Sequence, residues 1–186
     1  KLSLNFHMDI PWRIKSVLWW HAMSKQQTDK PLIKIGKEGT GVSSILFFLP
    51  SEKSYAPIAA YFVKKDQDVP DKKMEYIVHE DGAHFYSEQL KQNLITFSDE
   101  DLNKFGFINS SKILDQIKSF QYDALVDLNQ SMDQPLSLLA LELDISMKIG
   151  FQSPIADQLY TLVIEPSPSG FLEKSYETIE RLLGLV

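Results

Sequence analysis

The stretch SILFFLPSEKSYAPIAAYFV, Ser44–Val63, decides the fold class. Its first part, Ser44–Leu49, is an unbroken apolar run closed by Pro50, as expected of a strand covered on both faces. From Tyr55 to Lys65 the period changes, and Ile58, Ala59, Phe62 and Val63 recur at helical spacing. A polar loop, Pro50–Pro57, joins the two. Strand, polar loop and helix make half of a βαβ unit.

The same order recurs towards the C-terminus. Met74–Val78 reads as a second short strand, Phe85 and Leu90 mark a short helix, and Leu94–Phe97 is a third strand followed by a solvated loop, Ser98–Gly106. Asn109 or Ser110 then caps a helix whose core face is Ile113, Leu114, Ile117 and Phe120. Tyr122–Leu128 is a strand, Pro135 opens a buried apolar helix over Leu136–Leu143, and Ser146–Phe151 and Tyr160–Glu165 are further strands. The closing helix, Phe171–Leu183, carries Leu172, Tyr176, Ile179 and Leu183 on one face, with Gly184 as its stop. Strands alternating with helices require right-handed crossovers, so the expected fold is a three-layer, doubly wound α/β domain with a mostly parallel sheet.

Upstream of Ser44 the pattern differs. Residues 28–41 form a linker with three glycines and Pro31, and its GKEGTG (Gly36–Gly41) precedes a strand instead of following one, so it reads as a turn and not as a phosphate loop. Residues 9–27 read as a helix with Pro11 in its first turn; Ile14, Val17 and Leu18 share one face, and Trp12, Trp19 and Met23 lie nearly opposite. The expected organisation is an N-terminal helix and linker, 1–41, and an α/β domain, 42–186. The helix is expected to pack on the main domain or a sister subunit, with Trp12, Trp19 and Trp20 as docking residues, ahead of a role as an interfacial membrane helix.

Composition bounds the function. With 44% hydrophobic and 24% charged residues over 186 positions the chain is ordinary globular material. It has no cysteine, which excludes disulfides, thiol nucleophiles and thiolate metal sites. A net charge of −6 with scattered lysines and arginines argues against nucleic acid as partner. No stretch approaches the roughly 20 apolar residues of a membrane span. No signal peptide is visible, and Lys1 at the start suggests a trimmed N-terminus. The expected address is the cytoplasm, peripheral to the inner membrane if the N-terminal helix binds lipid.

The segment Phe120–Pro154, FQYDALVDLNQSMDQPLSLLALELDISMKIGFQSP, resembles the corresponding part of family 9 glycosyltransferases, the heptosyltransferases of lipopolysaccharide synthesis. Tyr122, Asp123, Asp127 and Leu128 stand in that family's Tyr-Asp-hydrophobic-Asp-Leu strand, and Lys148, Ile149, Gly150 and Phe151 in its basic-Ile-Gly-Phe strand. The resemblance implies a Rossmann-like domain similar to the N-terminal half of a GT-B glycosyltransferase, the half that holds the acceptor. In that family the loop after the first strand carries a Gly-Asp pair whose aspartate is the proposed base. Here that loop, Pro50–Pro57, reads PSEKSYAP, with Glu52 its only carboxylate. The expectation is therefore a non-catalytic binding or partner module. One alternative is a subunit of a split glycosyltransferase of the cell envelope, with Glu52 as substitute base. Another is a small-ligand binder for a sugar or nucleotide.

For that ligand the candidate residues are Ser51, Lys53 and Ser54 after the first strand and Asn129, Gln130 and Ser131 after the Tyr122–Leu128 strand, because open α/β sheets bind at the carboxyl ends of their strands. His79, Glu80 and His84 have the wrong spacing for a zincin and read as loop residues. Asp99–Asp101 lacks the pattern of a calcium loop, and neither GxSxG nor GxGxxG occurs. Neither cofactor nor metal is expected. Asp123 and Asp127 are expected near the two ends of their strand, each satisfied by water or a helix N-terminus.

Overall fold

In the computed structural model β1 (Ser44–Phe48) lies in mid-sheet, between β2 (Lys73–His79) and β4 (Ala124–Asp127), with Ile45 in register with both Met74 and Ala124. The structure describes residues 10–24, 42–65, 69, 71–86, 90, 92–165 and 172–185. The linker and the GKEGTG turn lie outside these residues. The chain divides into two units, residues 1–30 and 31–186. The first contributes α1 (Trp12–Ser24).

In the second unit β3 (Leu94–Phe97), β5 (Met147–Phe151) and β6 (Leu162–Ile164) complete a six-stranded sheet of order β3-β2-β1-β4-β5-β6, every pairing parallel. The continuous apolar run is explained by two-sided burial. Ile45 and Phe47 join one core layer with Tyr76, Val126 and Ile149, packed under α2 (Ala56–Lys65) and α7 (Leu172–Leu183). Leu46 and Phe48 join the other with Ile77 and Leu125, under α4 (Ser111–Lys118) and α5 (Gln134–Glu142). This is the three-layer, Rossmann-like α/β architecture with an N-terminal helix. Phe47 stacks on Tyr76 with ring centroids 5.4 Å apart, and Phe62 of α2 meets Tyr176 of α7 at 4.9 Å. At the end of α7, Gly184 takes φ 64° and the Leu185 N–H reaches back to the Glu180 carbonyl, 2.9 Å, as the sequence predicts for a glycine stop.

The differences lie at element ends. Tyr122 and Asp123 precede β4, and Tyr160 and Thr161 precede β6, because polar side-chain bonds capture these residues before the ladder begins. Phe120 is exposed beneath the Lys73 ammonium instead of lining the core, since α4 ends at Lys118. The short helix after β2 is α3 (Glu80–Ala83), and Phe85 follows it in a turn. The solvated loop contains a 3-10 turn (Asp99–Asp101), held by the Ser98 N–H and hydroxyl donating to Asp101. A further short helix, α6 (Ala156–Leu159), stands before β6.

Candidate functional site

The strand order reverses between β1 and β4, and in open α/β sheets the crevice at the carboxyl ends of such a pair is where ligands bind. Two loops meet there. The β1–α2 loop starts at Pro50, whose carbonyl accepts from the Tyr86 hydroxyl at 2.7 Å, and its Glu52 carbonyl receives the Tyr55 and Ala56 N–H groups at 3.0 and 2.8 Å. The β4–α5 loop ends at Asp133, which caps α5 by accepting from the Leu136 N–H at 3.0 Å, with Pro135 in the first turn. The Ser131 hydroxyl donates to Glu52 Oε1 and ties the two loops together.

Of the residues singled out by sequence, Glu52 and Ser131 are joined directly and both are exposed. Lys53 and Ser54 are exposed on the same loop as Glu52. Ser51 is half-buried; a Cβ at Gly82 of α3 would lie 2.6 Å from its Cα, so only glycine lets α3 pack on this loop. Asn129 turns inward, its backbone N–H and side-chain Nδ2 both donating to Asp127 Oδ1 at 2.9 and 2.8 Å, and Gln130 Nε2 reaches the Leu128 carbonyl at 3.4 Å. His79 ends β2 and His84 follows α3, its ring tilted against Phe85 with centroids 3.9 Å apart. His79 faces Asp81 and Asp99 at 3.4 and 3.7 Å.

Beneath the crevice lies a residue whose partner sequence reasoning missed. Asp127 is 2% exposed, and its Oδ2 accepts from the Tyr160 hydroxyl at 2.7 Å. Burial pushes its carboxyl up to about 6, although the Tyr160 and Asn129 bonds pull the other way. Tyr160 is itself raised, first by burial and then by the Asp127 charge. Asp133 is also raised by burial, with its bond from Leu136 and nearby His79 opposing and Glu52 adding to the rise. Gly150 makes the Tyr160 bond possible, because a Cβ there would lie 2.4 Å from the tyrosine ring.

At the opposite end of β4, Asp123 Oδ2 accepts from the Ser43 N–H, the Ser43 hydroxyl and the Ser44 N–H at 2.8, 2.8 and 2.9 Å. Both aspartates stand at the ends of their strand as expected, and their donors are Ser43, Ser44, Asn129 and Tyr160 and not a helix N-terminus. Tyr122 donates to Glu75, and burial followed by that bond raises the Tyr122 phenol; Lys148 Nζ donates to the Ala140 carbonyl in the last turn of α5 at 2.6 Å. The residues that carry the glycosyltransferase resemblance thus include five, Tyr122, Asp123, Asp127, Lys148 and Gly150, whose contacts hold the fold together.

Residues 21–182 match a family of unknown function (DUF6913). The chain belongs to the DUF6913 family. No curated protein and no solved structure matches it. The DUF6913 match takes in the whole sheet and both crevice loops, and leaves the first turns of α1 outside. Among the described residues no three His, Asp or Glu side chains are placed to hold a metal ion, and no helix is long and apolar enough to cross a membrane.

Proposed function

We propose that this DUF6913 chain is a non-catalytic binding module whose crevice, at the β1/β4 switch point, takes a small neutral polyhydroxylated molecule of the sugar class. The observation that carries the reading is the Ser131–Glu52 hydrogen bond, which brings two exposed polar loops together at the position where this sheet order binds ligands. Charge narrows the ligand. A nucleotide phosphate would want glycine-rich backbone and a free helix N-terminus. Here the β1–α2 loop has no glycine, and the first turn of α5 is already capped by the Asp133 carboxylate. Carboxylate and hydroxyl groups suit sugar hydroxyls, which donate and accept without carrying charge. Asp127, whose carboxyl burial pushes up to about 6, is sealed by Tyr160 and Asn129, which favours binding over chemistry.

The test is a thermal-shift titration with neutral hexoses and heptoses alongside nucleoside diphosphate sugars. A ligand at 100 times its dissociation constant adds about 2.7 kcal/mol to stability, a shift of several degrees for a domain of this size. Stabilisation by neutral sugars that is lost in Ser131→Ala and Glu52→Ala supports the reading. Indifference to all sugars, or stabilisation by the nucleotide moiety alone, rejects it.

A second reading follows from the exposure of Glu52 at the crevice: the chain is the acceptor-side part of a heptosyltransferase-like glycosyltransferase, with Glu52 as base. In that case Glu52→Gln abolishes sugar transfer while leaving sugar binding intact, and a variant that transfers at the parent rate sinks it.

A further inference from the structure

We infer that α1 is an adhesion element for anionic membrane surfaces, lying in the headgroup region and not spanning it. At 100° per residue, Trp12, Trp19 and Met23 fall within about 40° of one another on the helix. They are 72%, 65% and 68% exposed, which for three of the largest apolar side chains is a stripe held out to solvent. Basic residues stand on both sides of it. Lys15 lies about 60° to one side and Arg13 about 100° to the other. Both are exposed, and the Arg13 guanidinium sits 5.8 Å from the centroid of the Trp12 ring.

The charge of this segment opposes that of the chain. Residues 10–28 contain Arg13, Lys15 and Lys25 and no acidic residue, in a protein whose net charge is −6. Two copies meeting stripe to stripe would bring like charges together. An anionic lipid surface matches it all along the stripe, and tryptophan is the side chain that settles best between headgroups and acyl chains. The helix has 13 residues, well short of the roughly 20 needed to cross the hydrocarbon core, so it lies in the plane of the surface.

The experiment is unusually direct because the chain has three tryptophans, Trp12, Trp19 and Trp20, all within α1. Intrinsic tryptophan emission of the full chain therefore reports on this element alone. Vesicles of phosphatidylcholine and of phosphatidylcholine with phosphatidylglycerol are titrated into the protein, and bound chain is measured by sedimentation. A saturable blue shift and co-sedimentation with the anionic vesicles, weakened at least tenfold in the double variant R13Q/K15Q and in W12A/W19A, is the expected result. These substitutions are at exposed positions, and R13Q/K15Q keeps every apolar side chain, so a folding defect is read separately by circular dichroism. Absence of binding to either vesicle overturns the inference, as does equal binding to both. A blue shift on concentrating the protein without lipid also overturns it, and assigns the stripe to self-association instead.

Discussion

One aspartate stands just before β4 and another closes it, four residues apart in sequence, and the fold treats them in opposite ways. Asp123, at the amino end, is exposed and accepts three hydrogen bonds from Ser43 and Ser44. Desolvation pushes its carboxyl up, but those bonds and the Lys72 charge together outweigh it and hold the group below its ordinary value. Asp127, at the carboxyl end, is buried with a tyrosine and an asparagine as donors, and there desolvation wins. Hydrogen-bond count does not by itself set a carboxylate's acidity. Both groups are well bonded, and access to water decides the sign. The amino end stabilises its charge and fixes the entry of β1. The carboxyl end tolerates a charge under the crevice and spends a glycine and a tyrosine to do so.

The largest break of this comparison is Gly150→Ala. Its Cβ would stand 2.4 Å from the Tyr160 ring, and that ring has the β-sheet beneath it, so the tyrosine must leave. Overpacking alone costs about 1–3 kcal/mol, and stripping a donor from a buried carboxylate adds a comparable amount. We expect a loss of about 4 kcal/mol, a large part of the stability of a domain this size, read as a lowered urea midpoint. Tyr160→Phe keeps the ring and deletes the hydroxyl, and should lose about 2 kcal/mol. If Gly150→Ala proves milder than Tyr160→Phe, the ring has another way to reach Asp127 and the close approach is not its determinant.

The two aspartates also give stability opposite pH dependences. The folded-state value of Asp127, about 6, lies above its ordinary 3.8, so between those limits the folded chain holds a proton that the unfolded chain has released. Stability from this group therefore falls, by about 3 kcal/mol in all, as pH rises from about 4 to 6 and is level above. Asp133, raised for the same reason, adds slope of the same sign. Asp127→Asn cannot ionise, so its urea midpoint should change less than that of the parent between pH 4.5 and 7. Equal slopes would mean that Asp127 titrates near its ordinary value despite its burial.

How much of this could be read beforehand depends on the range of the forces involved. The run SILFFL announced a strand covered on both faces because burial acts on every residue of β1 from Ile45 to Phe48. The meeting of the Glu52 and Ser131 loops was legible too, since the rule for open sheets places both at neighbouring strand ends. Tyr160 was not. Its local pattern, YTLVIE, reads as the start of a strand, and the aspartate that captures it is 33 residues away. Asp133 two residues before Pro135 was a readable cap signal that the apolar run beyond it overshadowed. Gly150 was visible as a motif residue, but its reason is the Tyr160 ring, which only the tertiary structure supplies.

The smallest expected effect is at the amino end. Asp123→Ala removes an acceptor from two backbone N–H groups and a hydroxyl, all near solvent, so water replaces much of what is lost. About 1–2 kcal/mol should go at neutral pH. The sign with pH is opposite to that of Asp127. A carboxyl lowered in the folded state contributes stability that is present above its ordinary value and lost as pH falls through the lowered one. The parent and Asp123→Ala should therefore differ most at pH 7 and converge as pH falls below the ordinary 3.8 and the parent's own clamp takes up its proton. Amide hydrogen exchange gives a local reading of the same event: Ser43 and Ser44 should exchange faster in the variant while Leu46 and Phe48, inside the ladder, stay protected. Were the whole of β1 to exchange together, Asp123 would be holding the strand in the sheet, and the two ends of β4 would be less unlike than their acidities imply.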